Sequence, residues 1–241
     1  MYYRFFMNRL NAILPVSQDL MMHLQRYKIQ NTYQTISNTV DINRFHPGLT
    51  QIRNHDRRRV LCVAMLFPVK GIHFLLQAFA QLSEHLNCEL WIVGEGPERQ
   101  SLEELTRQLT LQDRVIFWGL KNQDEISQMM RAADTFVLTS IWENQPMSAI
   151  ESMACGLSVI APRVGGLPEI IQPFCGELFE PGNIADIVEK LRLVLDNESK
   201  YPAEQISTYA RREFSHTSIG LKFSNIYTRV LEEFKQHIVD N

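Results

Sequence analysis

From Val60 onward, short apolar or β-branched runs alternate with longer amphipathic stretches. Strands that read as nearly continuous apolar runs are buried on both faces, so the alternation predicts an α/β fold, an open parallel sheet with helices on both faces. The runs place strands over 60–66, 89–93, 115–118, 136–139, 159–161 and 178–179. Between them, Pro, Gly or acidic start signals open helices over 71–86, 97–109, 124–133, 146–155 and 167–171. Two more helices, over 184–195 and 218–238, close the chain. Right-handed crossovers put every loop that follows a strand on one rim, where ligands of such sheets bind.

The first sixty residues read differently. Tyr3, Phe6, Met7, Leu10 and Leu14 recur at helical spacing and predict an opening amphipathic helix whose packing partner is missing. Ser17 is placed to cap a helix through Tyr27, and 33–37 reads as a strand. The stretch 46–59, with Pro47, Gly48, Asn54 and a run of arginines, is a polar connector.

Length and composition narrow the classes. The 241 residues suit one complete domain and a piece of another, and 45% hydrophobic with 21% charged residues is ordinary for a globular chain. A net charge of -3 leaves no electrostatic footprint for nucleic acid, so an anionic ligand must be held by local groups. Cys62, Cys88, Cys155 and Cys175 show no C-x-x-C spacing and read as reduced thiols of a cytoplasmic protein. The longest apolar stretch, 60–67, is too short to span a bilayer.

Candidate chemistry sits on the strand-end loops. Walker A, H-E-x-x-H and G-x-S-x-G motifs are absent from the sequence. Gly94-Glu95-Gly96 lacks the third glycine of a dinucleotide fingerprint, which falls at Arg99, and reads as a tight strand-to-helix turn. With no Asp-x-Asp pair and scattered histidines, a metal-free mechanism is expected. Lys70-Gly71 follows a buried strand and opens a helix, where an ammonium beside helix amides could bind phosphate; a solvated loop lysine is the alternative. Glu143 and Glu151 flank Asn144, Gln145, Pro146, Met147 and Ser148 in a strand, loop and helix setting. Spacing alone proves nothing, since 27 acidic residues produce about three such pairs by chance. Gly165-Gly166 repeats the arrangement after the next strand, allowing close backbone approach.

Taken in order, Val16-Ser17, Asn38-Thr39-Val40-Asp41, Lys70-Gly71, Gly94-Glu95-Gly96-Pro97, Glu143 with Glu151, Met153-Ala154-Cys155-Gly156 and Gly165-Gly166-Leu167-Pro168-Glu169 resemble the retaining nucleotide-sugar glycosyltransferases of family 4, the glycosyl transferases group 1. The resemblance covers nearly the whole chain and matches the C-terminal, donor-binding half of the two-domain GT-B fold, with the N-terminal domain largely absent. It implies a remnant of the acceptor domain over 1–32, a Rossmann-like nucleotide-sugar domain over 33–215, and a terminal helix over 216–241 that returns to the N-terminal domain. The co-substrate implied is a nucleotide diphosphate sugar without a metal or other cofactor. Lys70 and Glu143 would carry catalysis: Lys70 neutralises the diphosphate with amides near Met147 and Ser148, and Glu143 holds the donor sugar beside Asn144 and Gln145. Glu151 would hold the ribose hydroxyls, with the base against Gly119 and Leu120. The acceptor would be a glycan or lipid-linked, and the localisation cytoplasmic or peripheral to the inner face of the membrane, with polysaccharide biosynthesis as the family-level role.

Three departures accompany the resemblance. Met65 stands where the family often has Arg, and Thr39 replaces a glycine that tolerates positive φ. The missing first domain implies inactivity of this chain alone and a bared apolar face available for self-association. A partner-dependent sugar-nucleotide-binding module is the alternative function. A glycoside hydrolase using both glutamates fails, because carboxylates on one helix-proximal rim cannot flank a sugar on opposite faces.

Overall fold

A computed structural model describes residues 2–29, 31–48, 57–83 and 85–239. Their strands are β1 Arg58–Val63, β2 Cys88–Val93, β3 Val115–Gly119, β4 Thr135–Val137, β5 Ser158–Pro162 and β6 Gly176–Phe179. All pair in parallel in the order β3-β2-β1-β4-β5-β6. The helices are α1 Tyr2–Met7, α2 Gln18–Arg26, α3 Ile72–Ser83, α4 Arg99–Gln108, α5 Gln123–Ala132, α6 Met147–Ala154, α7 Leu167–Ile170, α8 Ile184–Asp196, α9 Ala203–Phe214 and α10 His216–Val239. They cover both faces of the sheet, as a Rossmann-like fold requires.

The central strands are apolar because both of their faces are covered. Every residue of β4 and β5 is buried, and the inward stripe of α3, with Ile72, Leu75, Leu76, Phe79 and Leu82, packs into the same core. Cys62, Cys88, Cys155 and Cys175 are buried and free, as their apolar settings imply. Burial pushes the Cys88 thiol up to about 11 and the other three up to about 12, so these groups stay neutral and unreactive.

Several expectations are corrected. The apolar run over 60–66 is a strand only to Val63, while the arginines at its start join β1 rather than the connector, whose residues 49–56 lie outside the described residues. The opening helix stops at Met7 instead of continuing to Leu14, because the Asn31 side chain donates to the carbonyls of Met7 (2.7 Å) and Leu10 (2.8 Å) and closes that end. Residues 33–37 form no strand. Their ladder to Ile13 and Pro15 begins with Gln34 N to Ile13 O and Ile36 N to Pro15 O, but Pro15 has no N–H to return a bond.

Helix α9 is an element the pattern reading passes over, although Ile206, Ala210 and Phe214 recur every four residues after Pro202. It packs on α6, where Ser207 Oγ donates to Ala154 O at 3.0 Å. Helix α2 begins as expected, with Ser17 Oγ accepting from Leu20 N. Leu221, Tyr227, Leu231 and Phe234 stand exposed on α10, and Phe5, Phe6 and Leu10 at the N-terminus. No helix among the described residues is long and apolar enough to cross a membrane.

Candidate active site

Strand order reverses at β1, which has β2 on one side and β4 on the other. The loops leaving β1 and β4 therefore flank a crevice at the carboxyl rim. Lys70 lies on the first loop and Glu143 on the second.

Each rim loop grips its neighbour in the same order as the strands below. Gly94 N donates to Gly119 O (2.8 Å), and Leu66 N to Glu95 O (2.9 Å). A Cβ on Gly94 or Gly96 would stand 2.0 Å from Ala64 O or 2.5 Å from Leu66 O, so Gly94-Glu95-Gly96 is the tight turn its sequence suggests. Its glycines admit the main chain of the neighbouring loop.

The β1 loop is then clamped to the β4 loop. Pro68–Lys70 makes one turn of 3-10 helix ended by Gly71 at φ +59°, where a Cβ would sit 2.4 Å from Thr139 O. Thr139 Oγ1 donates to Lys70 O (3.2 Å) and Ile141 N to Val69 O (2.8 Å). These contacts bring Lys70 Nζ to Glu143 Oε1 at 2.6 Å. Ser140 Oγ donates to the same oxygen at 2.7 Å. Glu143 is only 8% exposed, whereas the Lys70 side chain keeps about a quarter of its surface in solvent, so the carboxylate is the better shielded partner.

Glu151 stands further along α6, on the stripe it shares with Met147 one turn earlier. It bonds to neither Lys70 nor Glu143, and its carboxyl accepts no hydrogen bond among the described residues. Burial raises its pKa above the usual carboxylate range. A partly buried, unpartnered acid one turn into a helix is a functional candidate on physical grounds. The folded state raises this pKa, so ionisation at pH 7 opposes folding, and the penalty vanishes once both states are protonated at low pH. Glu151→Gln should therefore raise the melting temperature at pH 7, and the gain should fade as pH drops through the carboxylate range. Thermal melts across pH check this; a gain that persists at pH 3 contradicts it.

The remaining sequence-derived residues divide by what holds them. The amides of Met147 and Ser148 belong to the first turn of α6 and have no intrahelical acceptor. Gly119, at φ +69°, ends β3, and the exposed Leu120 follows it on the rim. Gln145 has its side chain committed: Oε1 accepts from Ser37 Oγ (2.8 Å) and Asn38 N (2.6 Å), and Nε2 donates to Val16 O (3.1 Å). It clamps the 16–38 segment to the rim, and Oε1, already accepting two hydrogen bonds, has no lone pair left for a ligand.

Gly165-Gly166 make the close backbone approach expected of them. The close approach they permit is to the β4 loop, with Gly166 N donating to Asn144 O (2.5 Å) and a Cβ on Gly165 falling 1.9 Å from Glu143 O. Glu169 accepts from Gln18 N (3.0 Å) and Asp19 N (3.2 Å), capping α2. Sequence reading also misses Ser140, whose one signal is a hydroxyl at a strand end three residues before an acid.

Met65 is exposed on the β1 loop, and its thioether supplies no charge there. Thr39 takes no left-handed conformation; positive φ outside glycine belongs, among the described residues, to Lys28 and Thr110. Its Oγ1 donates to Phe214 O (2.9 Å) instead. No group of three His, Cys, Asp or Glu among the described residues is placed to hold a metal ion.

Comparison with known proteins gives the family and the fold. Residues 50–213 match the family described as Glycosyl transferases group 1. N-acetyl-alpha-D-glucosaminyl L-malate synthase of Bacillus anthracis is 28% identical over 242 residues, covering 96% of this chain and 63% of that protein. Sucrose-phosphate synthase of Thermosynechococcus elongatus superposes with a TM-score of 0.84 at 24% identity over 96% of this chain and 61% of its own. Anabaena HepE, solved with UDP and glucose, gives 0.83 at 23% identity over 95% and 66%. The chain thus spans less than two thirds of the first two proteins and about that share of the third.

Proposed function

The chain belongs to the glycosyl transferases group 1 family, and from that membership we propose that it forms the donor half of a retaining glycosyltransferase that takes its sugar from a nucleotide diphosphate sugar. The observation that carries the reading is the Lys70–Glu143 pair at the strand-order reversal, beside the free first-turn amides of α6.

Each group then has a part. The Lys70 ammonium and the amides of Met147 and Ser148 neutralise the diphosphate, both as ground-state anion and as leaving group. Glu143 is placed to accept hydrogen bonds from the donor sugar's hydroxyls, with Asn144 beside it, and Glu151 to accept from the ribose. The base rests against Gly119 and Leu120. In a front-face attack the departing phosphate oxygen takes the acceptor's proton as the new glycosidic bond forms, so no protein base is required. Positioning and charge stabilisation supply the rate. The acceptor is a glycan or a lipid-linked group.

Titration with UDP-glucose, UDP-N-acetylglucosamine, GDP-mannose and ADP-glucose tests the donor assignment: one of them should bind, with equal affinity in excess EDTA. Absence of heat with all four overturns it. Anomer-resolved NMR of a transfer product made in the presence of the acceptor-binding domain reads out retention. Donor binding without transfer in that mixture favours the non-catalytic module.

A further inference from the structure

Glu143 Oε1 receives two donors at once, Lys70 Nζ at 2.6 Å and Ser140 Oγ at 2.7 Å. Ser140 is fully buried at the end of the β4 run and is held on both sides, since Thr139 bonds to Lys70 O and Ile141 N to Val69 O. Its hydroxyl has one proton, and that proton goes to the carboxylate. A carboxylate in contact with a lysine can swing so that both oxygens share the ammonium. A fixed hydroxyl on one oxygen opposes that swing and pins the plane of the carboxyl group.

We propose that Ser140 is a positioning residue that anchors Glu143 through Oε1, so that Oε2 is held ready for the hydroxyls of the donor sugar. The inference rests on the sugar-nucleotide reading above and adds to it the group that orients the sugar-binding acid. Ser140 itself touches no substrate. Removing its hydroxyl lets Glu143 settle onto Lys70, which costs sugar recognition first and diphosphate recognition only secondarily.

The test compares two affinities in each of three proteins. The wild type, Ser140→Ala and the nearly isosteric Ser140→Cys are titrated with the tightest of the four sugar nucleotides named above and with its sugar-free nucleoside diphosphate. Both variants should lose about tenfold for the sugar nucleotide, the size of one hydrogen bond to a charged group, and less than about threefold for the nucleoside diphosphate. A merely structural role would weaken both ligands together. Equal losses, or no loss, overturn the proposal, and if Ser140→Ala fails to fold then Ser140→Cys decides by the same ratio. A wild type that binds no sugar nucleotide removes the proposed function and this inference with it. A wild type that binds while the ratio stays fixed removes this inference alone.

Discussion

Lys70→Ala is expected to weaken sugar-nucleotide binding by about 1.5 to 3 kcal/mol, roughly ten- to 150-fold, the range for a hydrogen bond to a charged group. The same change strands Glu143, which keeps only Ser140 as a partner in a shielded site. Breaking a buried pair from one side costs more than the pair is worth, and Lys70 is itself about a quarter exposed, so a loss of about 1 to 3 kcal/mol in folding stability should accompany the loss of binding. The double variant Lys70→Ala with Glu143→Gln separates the two effects. Removing the stranded charge should restore most of the stability and none of the affinity. Calorimetry that finds equal affinity in the wild type and the single variant contradicts the diphosphate role.

Gly165→Ala should be severe although the residue carries no chemistry. At φ +53° an added Cβ meets Glu143 O at 1.9 Å and Asn144 O at 2.8 Å, and both obstacles are main chain that cannot swing aside. Left-handed strain of about 1 to 2 kcal/mol adds to overpacking of about 1 to 3 kcal/mol, so unfolding stability should fall by several kcal/mol. The loop carrying Glu143 must move to relieve the clash, and donor affinity should fall with it. Gly220 supplies the contrast: it lies within α10 with nothing within 4 Å of an added Cβ, and Gly220→Ala should stabilise by about 1 kcal/mol through helix propensity. Urea unfolding of the two variants checks both signs; a mild Gly165→Ala would mean that the β4 and β5 loops are not locked together.

Legibility differs from residue to residue. The strands and most helices were readable because a covered parallel strand must be an apolar run and a covering helix must carry one apolar stripe. Lys70, Glu143 and Glu151 were readable as candidates because charged groups at strand ends of such a sheet fall on one rim. Helix α9 was overlooked because its apolar positions, Ile206, Ala210 and Phe214, are few, although Pro202 and Glu204 mark its start and Arg211 and Arg212 its end. The ladder over 33–37 failed because its partner contains Pro15. The roles of Gln145 and Glu169 were hidden because each depends on an atom brought close by another loop, and that of Ser140 because a hydroxyl three residues before an acid is too common a pattern to single out.

By itself, then, the order of residues along the chain determined the parallel sheet, the covering helices and the rim on which the polar loops gather, since burial and backbone pairing act over a few residues at a time. Tertiary structure alone decided that β1 lies against β4, and with it that Lys70 meets a carboxylate 73 positions away. It also decided that Glu169 caps a helix start 151 positions earlier and that Gly165 yields space to the loop of Glu143. Contacts of that range depend on which strand neighbours which, and hydrophobic periodicity is the same for every neighbour.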